Sequence, residues 1–234
     1  MLKKDLVNRS PIRIFEQSIH GGLKAGEIGV IVSQTGIGKT SVLVQLALDK
    51  LLQAKKVIHV SFTQHTHYVL SWYEDIFEEF ISKRDLENAA EVKNDVVKNR
   101  VLMNFSQDGI TKDQILRSLR AMITGGGFAA ESAIIDGFDF SRANYDGVKD
   151  VKDFAAELGL SVWCSCTIND DVPQYDRQNI PVVLKDFIDL IDVVIVLEPR
   201  QSHIELSVSK DRDSYDTGAL SMRLDPRTLL ISEK

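Results

Sequence analysis

The residues with the clearest chemical potential form one short stretch between two apolar segments. It reads Ser33-Gln34-Thr35-Gly36-Ile37-Gly38-Lys39-Thr40, with Ser41 directly after it. In a glycine-rich loop of this kind, backbone N–H groups wrap a phosphate chain, the lysine reaches the β- and γ-phosphates, and the threonine hydroxyl ligates Mg²⁺. The stretch therefore predicts a nucleotide-binding loop between a strand and a helix.

The first position of this loop departs from the usual pattern, because Ser33 stands where a glycine is expected. Gly36 and Gly38 remain where the backbone comes closest to phosphate. The alternative interpretation is a glycine-rich turn that precedes a Lys-Thr pair by coincidence. That interpretation leaves the apolar run before the loop (28–32) and the helix-like run after it (42–52) unexplained, so we favour the phosphate loop.

A carboxylate at the end of a second apolar segment could complete a metal site. Ala133-Ile134-Ile135-Asp136 is typical of a buried strand that ends in an acid at the carboxyl edge of a sheet. Apolar runs that end in aspartate are common, so the signal gains its weight from the loop upstream. Together with Thr40, Asp136 is predicted to hold Mg²⁺ and its bound water.

Length and composition indicate one large α/β unit. The chain has 234 residues, 44% of them apolar, a formal net charge of −6 and no proline-rich linker or repeat. We predict a single domain over residues 1–234, with residues 1–13 as an N-terminal arm. The amino terminus lacks the apolar core of a signal peptide, and no apolar run approaches the ~20 residues that span a bilayer. A cytoplasmic protein that does not enter a membrane is expected.

Two pairs of potential metal ligands are interpreted as structural. Cys164 and Cys166 lie two apart in a strand-like run, too close along one strand for an easy disulfide, and are expected to be buried thiols. His65 and His67 could be metal ligands or a proton shuttle. Two histidines do not make a site, so we favour polar loop residues at the rim of a cleft.

Alternating patterns predict a RecA-like, doubly wound, mainly parallel sheet flanked by helices. Strands are predicted at 27–32, 56–62, 100–105, 132–136, 160–166 and 192–197, and helices at 39–52, 66–98, 111–123, 146–158 and 180–189. Alternation at 203–209, 219–224 and 228–232 predicts an antiparallel meander at one edge. An apolar helix face is expected to pack on the sheet through Val69, Trp72, Tyr73, Ile76, Phe77 and Phe80.

The chain resembles the KaiC-like members of the RecA superfamily. The resemblance covers roughly residues 10 to 234 and depends on the order of Gly21-Gly22-Leu23-Lys24-Ala25-Gly26-Glu27, the loop 33–40, Asp136 and Ser209-Lys210-Asp211-Arg212. It implies a RecA-type ATPase core that binds ATP or ADP with Mg²⁺ at a subunit boundary, often in a ring of six.

The resemblance also implies that Lys210 and Arg212 reach the γ-phosphate of a neighbouring subunit. Strand alternation would point both cations in the same direction, as a paired phosphate clamp requires. Without the loop upstream, the same residues would be interpreted as a solvated strand end.

One departure from that family concerns the residue that activates water. KaiC-like enzymes carry one or two glutamates after the second strand, where this chain has Thr63 and Gln64. An amide can position water but cannot accept its proton as a carboxylate does, so assistance worth about 10²–10⁴-fold would be missing. The sequence gives no reason for Asp139, Glu74 or Asp75 to face the γ-phosphate instead. Slow or absent hydrolysis is expected.

The charge of two loops argues against nucleic acid. In RecA relatives, loops after the strands that end near Asp136 and Cys166 grip DNA. Here residues 137–150 and 167–180 each hold more acidic than basic side chains, whereas loops that track a phosphate backbone are normally basic. DNA binding is disfavoured, although a basic partner subunit would change this balance.

Two functions follow from these residues. In the first, ATP and Mg²⁺ bind through Lys39, Thr40 and Asp136, subunits assemble through the C-terminal cations, and the assembly recruits an unidentified regulatory or signalling protein with little turnover. In the second, the chain is a working ATPase in which Gln64 positions water. A DNA-dependent motor is a weaker third alternative. The preference for ATP over GTP rests on the family resemblance alone.

Overall fold

The computed structural model describes residues 10–82, 89–106, 111–168 and 174–233. The strands are β1 (Ile28–Ser33), β2 (Val57–Ser61), β3 (Arg100–Asn104), β4 (Ser132–Asp136), β5 (Ser161–Thr167), β6 (Val193–Pro199), β7 (Ile204–Asp211), β8 (Ser214–Leu224) and β9 (Ile231–Glu233). The helices are α1 (Pro11–Ser18), α2 (Lys39–Leu52), α3 (Thr66–Ser82), α4 (Ala89–Lys98), α5 (Lys112–Arg120) and α6 (Tyr145–Leu158), with a π-helical turn at Ala121–Gly125 and a 3-10 helix at Val182–Phe187.

All nine described strands belong to one sheet, in the order β3-β2-β4-β5-β1-β6-β7-β8-β9. The six strands from β3 to β6 are parallel, and β7, β8 and β9 continue the sheet in antiparallel fashion. The central parallel strands are continuous apolar runs because both of their faces are covered. The predicted α/β architecture, mainly parallel with antiparallel strands at one edge, is confirmed.

The sheet separates two apolar cores. Helices α1 to α4 cover one face, and α5, α6 and the 3-10 helix cover the other. The predicted apolar face of α3 packs in the first core, where Val69, Tyr73, Ile76, Phe77 and Phe80 are buried. We call the side of the sheet at which β1 to β6 end the carboxyl edge, and the other side the amino edge.

Local signals fix the starts of the two helices on the second face. Thr111 and Gln114 form a reciprocal capping box at α5, and the Asn144 side chain accepts a hydrogen bond from Gly147 N at α6. Each cap satisfies backbone N–H groups that have no partner within the helix.

Several predicted boundaries were wrong. The single helical region 66–98 is α3 and α4, with residues 83–88 outside the described part. The segment 180–189 forms a 3-10 helix rather than an α-helix. Strand β8 begins before the predicted 219, because a tight turn follows β7 immediately. Of the predicted arm, residues 1–9 lie outside the described residues, and its last residues belong to α1.

Two expectations about single features can be compared with the structure. Cys164 and Cys166 are free and buried, as predicted. Among the described helices, none combines the length and the apolar character needed to cross a membrane.

Candidate functional site

The glycine-rich loop connects β1 to α2 at the carboxyl edge. Gly36 and Gly38 have φ values of 80° and 108°, which glycine adopts without the steric cost that a side chain brings. A Cβ atom on Gly38 would lie 2.6 Å from Leu224 Cδ2, so β8 closes against the loop. Gly38 is also the N-cap of α2. The loop therefore lies at the positive end of the helix dipole, where anions are favoured.

The side chain of Lys39 is folded into the loop. Its Nζ donates to the carbonyl oxygens of Ser33 and Gln34 at 3.0 and 2.9 Å, and to the Ser33 hydroxyl at 3.3 Å. Burial lowers the pKa of Lys39, and the charge of Asp136 acts in the opposite direction. Because these hydrogen-bond partners are all neutral, the ammonium charge is available to an anion. Ser33, which stands where the usual pattern has its first glycine, supplies two of these partners, and the hydroxyl is one that a glycine would lack.

Thr40 and Asp136 meet, as the motif predicted. The Thr40 hydroxyl donates to Asp136 Oδ2 at 2.8 Å, across 96 positions of sequence. The second oxygen of Asp136 accepts from the Ser165 hydroxyl at 2.7 Å, and that hydroxyl in turn accepts from Gly137 N at 2.7 Å. These bonds fix a hydroxyl and a carboxylate side by side, next to the loop.

The other loop residues divide between solvent and core. Thr35 is exposed, and Ile37 packs partly against the first core. Ser41 turns inward: its hydroxyl donates to Leu229 O at 2.5 Å. Gln45, one turn later in α2, donates to the same carbonyl at 2.9 Å and accepts from Ile231 N at 2.8 Å. The chain around β9 is thereby tied to the start of α2.

The sequence analysis missed two residues that hold the site in place. Ser165 hydrogen-bonds to Asp136, and Gln45 ties the start of α2 to residues 229–231. Ser165 was detectable in principle, because it is the polar residue between two cysteines and alternation places it on the opposite face of β5. Gln45 gave no signal, since its partners are 184 and 186 positions away.

The oxygen donors at this site fit a Mg²⁺ ion only if waters and phosphate oxygens complete its coordination. No group of three or more His, Cys, Asp or Glu side chains in the described ranges could hold a metal ion. Mg²⁺ is usually held by one or two protein oxygens together with waters and substrate phosphates. The Thr40 hydroxyl and the Asp136 carboxylate are oxygen donors of this kind, so they fit a Mg²⁺ ion that arrives with a phosphate chain.

Gln64 lies three residues after Ser61, which is paired in register with Asp136. Its backbone is fixed: Gln64 N donates to Ser61 Oγ at 3.1 Å, and Asn104 Nδ2 donates to Gln64 O at 2.6 Å. Its side-chain Oε1 is shielded from solvent and has no hydrogen-bond partner among the described residues. This acceptor without a partner belongs to an amide, which can accept a hydrogen bond from water but is a much weaker base than a carboxylate.

Two of the three alternative acids contact other groups, and the third, Asp75, is exposed on α3. Asp139 accepts from the backbone N and the hydroxyl of Ser141 at 3.0 and 2.6 Å, and Glu74 lies 3.9 Å from Lys93 Nζ on α4. His65 and His67 are both exposed, and their rings stack at a centroid distance of 6.0 Å.

Lys210 lies toward the amino edge, away from the loop of its own chain. It is paired with Val194 of β6, which aligns with Val30 early in β1. Its Nζ donates to the carbonyl oxygens of Ile188 and Ile191, both at 2.5 Å. Burial lowers the pKa of Lys210.

Arg212 follows the end of β7 and has a φ of 54° in the turn to β8. Its guanidinium donates to both carboxylate oxygens of Glu27, at 3.1 and 2.8 Å, and to Gly22 O at 2.8 Å. The prediction that Lys210 and Arg212 point in the same direction is wrong, because Arg212 is past the end of the strand. Both cations contact their own chain.

Two cavities flank the loop. One of about 740 Å³ borders Gly36 and Ile37 and is also lined by Arg200, His203 and Arg227. A second, of about 210 Å³, lies along Ser33 and Gln34, beside Tyr175 and Glu198. The larger volume is within the range of pockets that hold nucleotide-sized molecules.

Comparison with known proteins does not assign the chain to a family. No protein-family model matches it, and no curated protein sequence matches it.

Proposed function

We propose that this protein is a KaiC-like, RecA-type domain that binds ATP with Mg²⁺ and acts as a nucleotide-dependent regulatory switch with slow or absent hydrolysis. The observation that carries the proposal is the 2.8 Å hydrogen bond between Thr40 Oγ1 and Asp136 Oδ2. It joins the two residues that the sequence analysis assigned to Mg²⁺, at the start of the helix that follows a glycine-rich loop.

The electrostatics of the loop support a phosphate ligand. Lys39, the N-terminus of α2 and the left-handed glycines place positive charge and close backbone approach in one place. Nothing at the same place neutralises Lys39 through a direct ion pair in the described residues. The adjoining cavity of about 740 Å³ has room for a ribose and a base.

We expect slow turnover because Gln64 stands where the attacking water would be oriented. Gln64 can orient water through its amide, and a general base worth about 10²–10⁴-fold is missing there. The order of the strands is compatible with a RecA-type core, which adds weight to the resemblance without deciding it.

Assembly is part of the proposal. Lys210 and Arg212 lie at the amino edge, so the only loop they could reach is that of another subunit. Binding a neighbour's γ-phosphate would require them to exchange the carbonyl and Glu27 contacts that they make within the chain. A homo-oligomer, with a ring of six as the family arrangement, would form the nucleotide-bound state that recruits a protein partner.

The test measures binding, phosphate release and assembly in the same samples. Affinity for a fluorescent ATP analogue with Mg²⁺, steady-state phosphate release and light scattering are recorded for wild type, Lys39→Ala and Lys24→Ala. Lys24 is an exposed lysine and serves as the control. Removal of Lys39 should weaken nucleotide binding about 10–100-fold, because a charge-assisted contact is lost. Equal affinity in all three proteins would reject the proposal.

The second candidate function is a working ATPase, favoured by the unpartnered Oε1 of Gln64, which could accept a hydrogen bond from water. Under this alternative, phosphate release is well above background in wild type and disappears in both Lys39→Ala and Gln64→Ala. Nucleotide-dependent scattering with no release supports the switch.

A further inference from the structure

A cavity of about 410 Å³ lies on the face of the sheet opposite to α2. Its floor and walls are apolar, and include Phe62, Ile115, Leu116, Leu119, Ile135 and Phe138. Ile115 and Leu116 are only half-buried, so α5 leaves part of its apolar side uncovered toward this space. A cavity of this volume and character is in the range of small-molecule sites.

The cavity lies directly behind Asp136. Alternation along β4 turns Ile134 and Asp136 toward α2 and the loop, while Ile135 and Gly137 line the cavity. Gly137 N also donates to Ser165 Oγ, the hydroxyl that holds Asp136. A molecule in the cavity would therefore contact both chain neighbours of the carboxylate without touching the loop.

The cover of the cavity is a short helix with an irregular end. Helix α5 has nine residues and continues into the π-helical turn, which is followed by Gly126 and Gly127, the latter with a φ of 67°. π-Helical turns within helices occur often at functional sites. Glycines restrict the chain least, so this end of α5 can adjust to an occupant.

The mouth of the cavity favours an anionic group. Lys112, Asp139, Arg142 and Asn144 surround it. Lys112 is paired with Asp150, and Asn144 caps α6. The Arg142 side chain is 74% exposed, and its Nε lies 3.5 Å from Asp139 Oδ2. Its two terminal nitrogens make no hydrogen bond to any described residue, which leaves the planar donor pair of a guanidinium free for a carboxylate or sulfonate.

We propose that this cavity is a second ligand site, which takes a compact aromatic or aliphatic molecule with one anionic head, and that its occupant shifts the affinity of the loop through β4. The apolar body lies against α5 and β4, and the head meets Arg142. The claim that the cavity binds a ligand depends only on the cavity. The claim that this ligand changes the affinity of the loop for nucleotide rests on the proposed nucleotide function.

The first experiment uses 8-anilinonaphthalene-1-sulfonate and N-phenyl-1-naphthylamine, which share a ring system and differ in the anionic head. Fluorescence titration of wild type should give one saturable site that prefers the sulfonate. Ala143→Phe and Ile115→Trp fill the cavity and should each weaken binding at least ~10-fold, a difference that a lost apolar contact of this size produces. Val97→Ser changes an exposed apolar residue on α4 and should leave binding unchanged.

The head group is tested at Arg142. Arg142→Gln should weaken the sulfonate about threefold, as expected for an exposed ion pair, and leave the neutral probe unaffected. Binding that is equal in wild type and both filling variants, or that shows no preference for the sulfonate in wild type, overturns the site as proposed.

Coupling is measured by calorimetry with ATP and Mg²⁺, with and without saturating sulfonate probe. A change of at least ~5-fold in ATP affinity is expected, with the same factor for the probe when ATP is bound. An ATP affinity that the probe does not alter overturns the coupling. If the protein binds no ATP at all, the proposed function is wrong. The fluorescence titrations still show whether the cavity binds a ligand.

Discussion

The loop at the carboxyl edge of the sheet and the ion-pair cluster at the amino edge hold their charged residues in different ways. At the carboxyl edge, Lys39 and Asp136 hydrogen-bond to neutral carbonyls and hydroxyls. At the amino edge, acids and bases form ion pairs with one another, apart from Lys210, which donates to two carbonyl oxygens. That amino-edge charge cluster consists of Arg13, Glu16, Glu27, Asp49, Lys50, Asp211 and Arg212.

This difference shows where the molecule has charged groups that no ion pair within the chain neutralises. A charge that already has an opposite partner contributes to the fold, and removing one member leaves the other uncompensated. Burying a charge that contacts only neutral groups lowers the stability of the fold. Binding of a ligand of opposite charge offsets this loss of stability. Substitutions at the carboxyl edge should therefore change ligand binding, and substitutions at the amino edge should change stability.

The largest expected effect is at Gln64. Gln64→Glu supplies the missing base, so phosphate release should rise about 10²–10⁴-fold if only proton acceptance is lacking. Steady-state release measures it, with Gln114→Glu, which retains a capping residue on α5, as the control. Unchanged release would show that the carboxyl edge is built for binding alone.

At the amino edge, Lys210→Met should lower the free energy of unfolding by about 2–4 kcal/mol, because one buried and one half-buried carbonyl lose their donor. Urea denaturation of dilute protein measures it, alongside Lys24→Met at an exposed position. Nucleotide affinity of the isolated subunit should stay at the wild-type value. A variant that kept its stability and lost nucleotide would break the contrast between the edges.

Asp49 provides a pH test of the same cluster. Burial raises the pKa of Asp49 from 3.8 to about 6, against the effect of Arg13. The folded state therefore keeps a proton that the unfolded chain releases, and this stabilisation is present below pH 3.8 and lost as the pH rises to about 6. At about 1.4 kcal/mol for each pKa unit, the loss is at most about 3 kcal/mol.

In Asp49→Asn, that fall in stability between pH 4 and 6 should be absent. Unfolding curves at several pH values compare it with wild type and with Asp113→Asn, an exposed aspartate on α5. Parallel pH profiles for Asp49→Asn and wild type would show that burial does not perturb this carboxyl group.

The smallest expected effect is at Thr40. Thr40→Val keeps the shape and removes the hydroxyl, which should reduce the Mg²⁺-dependent gain in nucleotide affinity by about 1 kcal/mol. Titrations with Mg²⁺ and with EDTA separate this gain from metal-free binding. Thr124→Val, in the π-helical turn, is the control, and an equal gain in all three proteins would remove Thr40 from the metal site.

Sequence patterns predicted the elements that depend on local chemistry. Helix α2 begins at Lys39, as expected, because a glycine-rich turn ends there and an apolar run follows. The start of β8 was missed because the turn at Arg212 uses a left-handed backbone at a residue that seldom adopts it. The 3-10 helix was missed because its apolar residues also satisfy an α-helical period.

Within the site, residue types were predictable and orientations were not. Thr40 and Asp136 were paired because a motif links them across strands. Arg212 contacts Glu27, 185 positions earlier, and the sequence analysis did not predict this contact. Local periodicity carries no information about such a distant partner, so the direction of a cation at a strand end has to be observed.

The bonds from Ser41 and Gln45 to residues 229–231 have a consequence for biosynthesis. The start of α2 follows the loop within the first fifth of the chain, but its polar side chains acquire their partners only when β9 has been translated. Until then, those groups and the adjoining apolar surface of α2 stay exposed. Nascent chains with exposed apolar surface associate with one another or with chaperones. The loop can therefore reach its final form only after residues 229–231 have been synthesised.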